Sequence, residues 1–142
     1  MQVIIGGYTA EMGGSATGVR SLLVDRDEHG AVHLDEAADL ALTSPSYLIA
    51  HPERPWLFAV TEGTPSQVHC MALAADGRLE RLTSRESGGK IGAHLALSPD
   101  GRYLVVAHYG SGSVSSFAVD NGGRFERTPG PIASASGRLR RR

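Results

Sequence analysis

The stretch Tyr47-Leu-Ile-Ala-His-Pro-Glu-Arg-Pro-Trp-Leu-Phe-Ala-Val60 returns, with the same order of apolar and turn residues, as His94-Leu-Ala-Leu-Ser-Pro-Asp-Gly-Arg-Tyr-Leu-Val-Val-Ala107, 47 residues on. Downstream, Val68 is answered by Val114 and Gly77-Arg-Leu-Glu-Arg81 by Gly123-Arg-Phe-Glu-Arg127, now offset by 46 because a loop is one residue shorter. Within each unit, short runs rich in Val, Leu, Ile and Tyr alternate with Gly, Asp, Asn and Pro clusters, and helix-period segments are nearly absent, so the chain reads as all-β. The expected strands are 2–6, 18–25, 31–38, 47–51, 56–62, 67–74, 79–84, 94–98, 103–109, 113–120 and 125–128. Turn signals at Glu28-His29-Gly30, Asp76-Gly77, Asp100-Gly101 and Asn121-Gly122-Gly123 supply the positive-φ residues of tight hairpins, which makes the whole a meander. Four strands per unit and a period near 46 are the signature of propeller blades.

Working outward, the N-terminal unit matches more loosely. Residues 18–25 resemble a third strand, and His29-Gly30 with Val32 and Leu34 resembles the turn into a fourth. Residues 35–42 are expected as strand, with a short helix as the alternative, since Asp39 interrupts the apolar side such a helix would need. The reading is therefore a β-propeller fragment of about two and a half four-stranded antiparallel blades. It comprises a remnant at 1–42, blades at 43–89 and 90–132, and a disordered Arg-rich tail at 133–142. Rings need about four to eight blades, and each blade buries its apolar faces only against the next. A longer parent, a truncation scar at the tail and self-association of the open fragment are accordingly expected, with a basic tail for nucleic acid or anionic lipid as the alternative.

Composition narrows the function classes. The 142 residues are 41% hydrophobic and 20% charged, with a formal net charge of −1. Arg138, Arg140, Arg141 and Arg142 hold four of the fourteen basic charges, leaving ten against fifteen acidic residues elsewhere. A body of that sign argues against phosphate-backbone recognition, so no nucleic acid is expected as a partner. No run approaches the roughly 18 apolar residues of a membrane helix, and residues 1–7 lack the basic start of a signal peptide. The single cysteine, Cys70, excludes an intrachain disulfide. A cytoplasmic, non-membrane protein is the expectation. His29, His33, His51, His69, His94 and His108 show no paired ligand spacing, so no metal is expected. Gly13-Gly14-Ser15-Ala16-Thr17-Gly18 and Gly88-Gly89-Lys90-Ile91-Gly92 are only loosely like phosphate loops, lead into no helix and read as inter-strand loops. No cofactor follows from any motif.

Meander geometry offers a better lead. In a four-strand blade the first strand starts, and the second ends, at the same sheet edge, and the first strands line the central channel. That gathers Tyr47 and His94 with Glu62, His108 and Tyr109 on one rim, with Lys90, the only lysine, in the loop just before it. A carboxylate, imidazoles and a cation around a channel mouth suit water attack on an ester carbonyl. The alternative is that His94 and Tyr47 merely cap inner strands and Glu62 is a solvated rim residue.

Several phrases resemble the lactonase family of seven-bladed propellers, the group containing bacterial 6-phosphogluconolactonase and the fungal carboxymuconate-cyclising enzyme. They are Gly6-Gly7-Tyr8-Thr9, Ser44-Pro45-Ser46-Tyr47-Leu48, Leu57-Phe58-Ala59-Val60-Thr61-Glu62-Gly63, and the run from His94 through Ser98-Pro99-Asp100-Gly101-Arg102-Tyr103 to His108-Tyr109-Gly110-Ser111-Gly112-Ser113-Val114. Thr61 and His108 depart from the asparagine the pattern leads one to expect. The resemblance covers residues 2–130 and implies a parent of about 325 residues. It implies a sugar-lactone hydrolase of carbohydrate metabolism and the pentose phosphate pathway, with this fragment inactive or weakly active. On that reading His94 and Glu62 form the catalytic pair, either of them the base and the other orienting it, Tyr109, His108 and Tyr47 contact substrate, and Lys90 contacts an anion. A non-catalytic binding or scaffold propeller is the second reading, because a fold does not fix a function.

Overall fold

The computed structural model describes residues 1–128; the tail at 133–142 lies outside them. Strands β1 (Gln2–Gly6), β2 (Gly18–Arg26) and β3 (Val32–Ala41) form one antiparallel sheet. A second contains β4 (Pro45–Ala50), β5 (Trp56–Thr61), β6 (Gln67–Leu73) and β7 (Leu79–Glu86), and a third β8 (Gly92–Leu97), β9 (Tyr103–His108), β10 (Ser113–Val119) and β11 (Phe125–Arg127). In each sheet neighbours in space are neighbours in sequence, as the hairpin turns require. Residues 35–41 belong to β3, where Asp39 lies opposite Arg20 of β2 and pairs with it, so the residue that spoils a helix serves a strand. A 3-10 turn at Ala10–Met12, not foreseen from the pattern, interrupts the loop after β1.

The two complete sheets begin earlier than their apolar runs, at Pro45 and Gly92 rather than at residues 47 and 94. The reason is a register shift at the same place in both, between Pro45 and Tyr47 and between Gly92 and His94, where one residue is left over on the inner strand. β7 likewise runs past its expected end, paired across an irregularity, and β3 takes in most of the strand expected at 35–42.

Alternation within β5 glues the fan together. Leu57 and Ala59 pack with Val19, Leu42 and Met71 toward the first sheet. Phe58 and Val60 pack with Leu95, Leu104, Val106, Phe117 and Phe125 toward the third. β9 is covered on one side only: Leu104, Val106 and His108 are buried, whereas Tyr103 and Val105 are 49% and 36% exposed. Two equivalent glycines set how closely the blades approach. Gly77 (φ 87°) and Gly123 (φ 75°) need the left-handed region for their turns, and a Cβ there would strike Ala37 and Cys70 of the preceding blade. On the same edge, Arg54 stacks 4.6 Å over Trp56 and donates twice to Asn121, to its backbone carbonyl and its Oδ1, each at 2.8 Å.

Two histidines are buried between blades. His108 lies between the second and third, with Nδ1 3.2 Å from the Ser113 carbonyl and Nε2 2.8 Å from Ser87 Oγ. A carbonyl only accepts, so Nδ1 carries the proton, while the single Ser87 hydroxyl proton lies between Nε2 and the Ser66 carbonyl, 3.1 Å from Ser87 Oγ. Burial lowers the His108 pKa, the Ser113 carbonyl opposes that, and Arg127 adds to the lowering. His69, between the first and second blades, is held down to about 4, by burial first and Arg81 second.

Two predictions follow from this packing. Leu57→Ala and Phe58→Ala are adjacent truncations in one strand, expected to cost about 2–5 and about 3–5 kcal/mol respectively in urea unfolding. Amide exchange should rise first around Val19 in the former and around Leu95 and Leu104 in the latter; the same exchange pattern in both would contradict the two-sided packing. The second prediction concerns pH. An unfolded histidine takes its proton near 6.5 whereas the native His69 ring resists it to about 4, so between those values the unfolded state binds more protons and stability falls with falling pH. His69 alone accounts for about 3 kcal/mol over that window. The depressed carboxylates Asp27, Asp39, Asp100 and Asp120 act below their ordinary 3.8, whereas His108, lowered from 6.5, adds a contribution of the same sign inside the window and Glu11, lowered from 4.5, one at its acid end. His69→Gln should reduce the slope of unfolding free energy against pH in this window by about one proton; an unchanged slope would place the titration elsewhere.

Candidate active site

The channel-side rim is built from two equivalent corners. Pro45 pairs with Thr61 and Gly92 with His108, which brings the start of each inner strand beside the end of the second strand. Immediately before each inner strand stands a non-glycine residue in the left-handed region, Ser44 (φ 46°) and Ile91 (φ 53°). Their carbonyls accept from the amides of Glu62 at 3.0 Å and Tyr109 at 2.8 Å. For a β-branched isoleucine this backbone is costly, so the surroundings must impose it. At Ser44 the restraint is a buried reciprocal pair with Thr9: each backbone amide donates to the other's hydroxyl, at 3.0 and 3.1 Å. At Ile91 it is the amides of Gly110, donating to the Lys90 carbonyl at 3.0 Å, and of Lys90, donating to Ser111 Oγ at 3.1 Å.

Tyr8, Glu62 and Tyr109 occupy one repeated position, each two residues beyond a paired residue of the second strand (Gly6 with Val19, Val60 with Val68, Ala107 with Val114). The Tyr8 hydroxyl donates to Glu62 Oε1 at 3.1 Å, and this hydrogen bond, with the carboxylate's charge behind it, raises the phenol's pKa. Tyr47 and His94 are in contact with ring centroids 4.2 Å apart and ring planes tilted by 43°. Each ring stands on the residue at which pairing resumes after the bulge of its inner strand.

The residues expected at the rim therefore divide. Glu62, Tyr47, His94 and Tyr109 are there, with His94 exposed and Tyr109 83% exposed. Glu62 is partnered by Tyr8, and His94 by Tyr47, so the structure does not join Glu62 and His94 as a pair. Lys90 is exposed in the loop at the Ile91 corner. His108 is corrected: at 3% exposure, with both ring nitrogens engaged, it is an interblade residue and not a donor at the mouth. The reason is strand parity, which puts it on the face of Leu104 and Val106. Tyr8 is the residue that sequence reading left out of the site; its signal was the offset it shares with Glu62 and Tyr109. Chemically the rim offers a hydrogen-bonded carboxylate, an exposed imidazole and three phenols. Among the described residues no three His, Cys, Asp or Glu side chains are grouped to hold a metal ion.

The family model described as lactonase, 7-bladed beta-propeller, matches residues 2–137. The 6-phosphogluconolactonase of Formosa agariphila is 25% identical over 91 residues, covering 61% of this chain and 26% of that protein. Among solved structures, a putative 6-phosphogluconolactonase from Bacteroides fragilis overlays with a TM-score of 0.73 at 24% identity, covering 88% of this chain and 34% of the other. The periplasmic gluconolactonase PpgL of Pseudomonas aeruginosa gives 0.74 at 27% identity, with 88% and 36% covered. The chain thus spans about a quarter to a third of the length of these relatives. With the family model running nearly end to end, and a meander of blades in the order that model requires, this chain belongs to the lactonase family of seven-bladed β-propellers.

Proposed function

We propose that the protein hydrolyses a sugar lactone, a phosphorylated or free aldonolactone, at this rim. The observation that carries the reading is the carboxylate of Glu62, oriented by Tyr8 on the same edge as His94, in a chain of the lactonase family. His94 takes a proton from water as the water oxygen bonds to the lactone carbonyl carbon. The tetrahedral intermediate then expels the ring oxygen, which leaves as the sugar hydroxyl with that proton, so the sum is lactone plus water to hydroxy acid. Tyrosine hydroxyls steady the oxyanion, Glu62 orients substrate hydroxyls, and Lys90 meets an anionic substituent. The family is seven-bladed, and reacting groups gathered around such a ring must be held together to act. The 142-residue chain is therefore expected to open the lactone negligibly.

The assay is lactone disappearance near neutral pH, corrected for spontaneous opening, on this chain and on a seven-bladed protein carrying its sequence. His94→Ala should lower kcat/KM of the seven-bladed form by about 100-fold or more, and Glu62→Gln by about tenfold. Unchanged rates in both would leave a binding or scaffold module. For the isolated chain we further propose self-association through the exposed Tyr103, Val105 and Val114 face. Sedimentation should show concentration-dependent oligomers that Val105→Lys reduces, and a wild-type monomer at all concentrations would refute it.

A further inference from the structure

The internal repeat provides its own control for a histidine buried between blades. Between the second and third blades His108 is fully partnered, and Gly89 makes room for its ring, since a Cβ at 89 would strike it. Between the first and second blades the equivalent positions are Leu42 and Thr61, an aliphatic side chain and a hydroxyl that accepts from the Gln67 amide of its own sheet at 3.0 Å. The imidazole there belongs instead to His69 of β6, opposite Ala59. His69 is 3% exposed, and among the described residues neither ring nitrogen has a hydrogen-bond partner. An imidazole carries a donor in either charge state, and burying it unpaired is unfavourable.

His69 lines a cleft of about 640 Å³ between these blades, together with Arg81, Glu11, Gln67 and five threonines, Thr9 and Thr61 among them. That volume is in the range of small-molecule sites. One Arg81 N–H group is spent on the Ala41 carbonyl at 2.9 Å, and a guanidinium has further donors. Apart from the His69 imidazole, no aromatic ring among the described residues lines the cleft to stack a nucleobase, and Arg81 disfavours a metal cation. Burial and Arg81 keep His69 uncharged at neutral pH, so its ring acts there as donor and acceptor while Arg81 carries the positive charge. Glu11 shares a hydrogen bond with Thr9 and is a hydroxyl acceptor.

We infer that this interblade cleft binds a small hydroxylated anion, a polyol bearing a carboxylate or a phosphate, with Arg81 pairing the anionic group and His69 and Glu11 bonding the hydroxyls. The site shares none of the rim residues Tyr47, Glu62 or His94 and does not rest on the lactonase reading. The test follows the ring nitrogens of His69 by long-range proton–nitrogen NMR while the protein is titrated with D-gluconate, D-glucose 6-phosphate, D-glucose and inorganic phosphate. A saturable His69 shift with either sugar anion is expected; gluconate binding more tightly assigns the carboxylate form, glucose 6-phosphate the phosphate form. Glucose and inorganic phosphate should bind at least about tenfold more weakly. Arg81→Gln, on an exposed strand where folding is checked by circular dichroism, should weaken the sugar anions by about tenfold and leave glucose unchanged. Three results would each overturn the inference: no saturable shift with either sugar anion up to about 50 mM, affinity unaltered in folded Arg81→Gln, or inorganic phosphate binding as tightly as the sugar anions.

Discussion

A blade of this fold has two apolar faces, and each is buried only by what a neighbouring blade lays against it. β5 shows the constraint satisfied, with successive side chains feeding alternate interfaces: Leu57 and Ala59 one way, Phe58 and Val60 the other. β9 shows it half satisfied, buried at Leu104 and Val106 and open at Tyr103 and Val105. Each fully buried large apolar side chain brings about 1.5–3 kcal/mol, so stability accrues at interfaces rather than within sheets. The rest is subordinate to that contact. Gly77 and Gly123 lack side chains because the turn must touch the previous blade, and the Thr9–Ser44 pair ties one blade's loop to the next blade's first strand.

Because blades are stacked in register, the rim is fixed by backbone more than by side chains. Ser44 and Ile91 sit in the same unfavourable conformation in successive blades, each offering its carbonyl to the residue that ends the second strand. A backbone cost of about 1–3 kcal/mol at each corner persists only where neighbouring contacts over-determine it. What those corners hold is a position, occupied by Glu62 in one blade and by Tyr109 in the next. The identity of the side chain is then free to vary without disturbing the frame, which is how one architecture carries different site chemistries.

The blades were legible in the sequence because their determinants are local: period-two alternation, Asp-Gly and Gly-Gly turns, and a repeat long enough to align. The bulges before Tyr47 and His94 were not, since an extra residue on one strand leaves no compositional mark and needs the partner strand to be seen. The Tyr8–Glu62 bond joins residues 54 apart on different blades, a contact created only by stacking. His108 is a different case. Its parity with Leu104 and Val106 was readable, and it marks an interblade residue; the expectation of a rim donor followed its place at the strand's end and overlooked its face. His94 and Glu62 were found at the right edge, but which residue each would partner depended on ring placement and loop reach.

Comparison of the two interfaces separates what packing demands from what it merely admits. Gly89 with His108 and Leu42 with Thr61 are alternative fillings of one slot, one an imidazole engaged across the interface, the other an aliphatic side chain beside a hydroxyl bonded within its own sheet, so the frame admits either provided the volume is met. At the position of His69 the next blade has Ser115, also buried, so an imidazole is not needed there to close a sheet interface. A ring that packing does not require, buried beside a cleft with a cation and several hydroxyls, is retained at a cost in unpaired hydrogen-bonding capacity. In a repeat fold, the positions whose side chains differ from their counterparts in size and hydrogen-bonding capacity while conserving the stack are thus where ligand chemistry is free to enter.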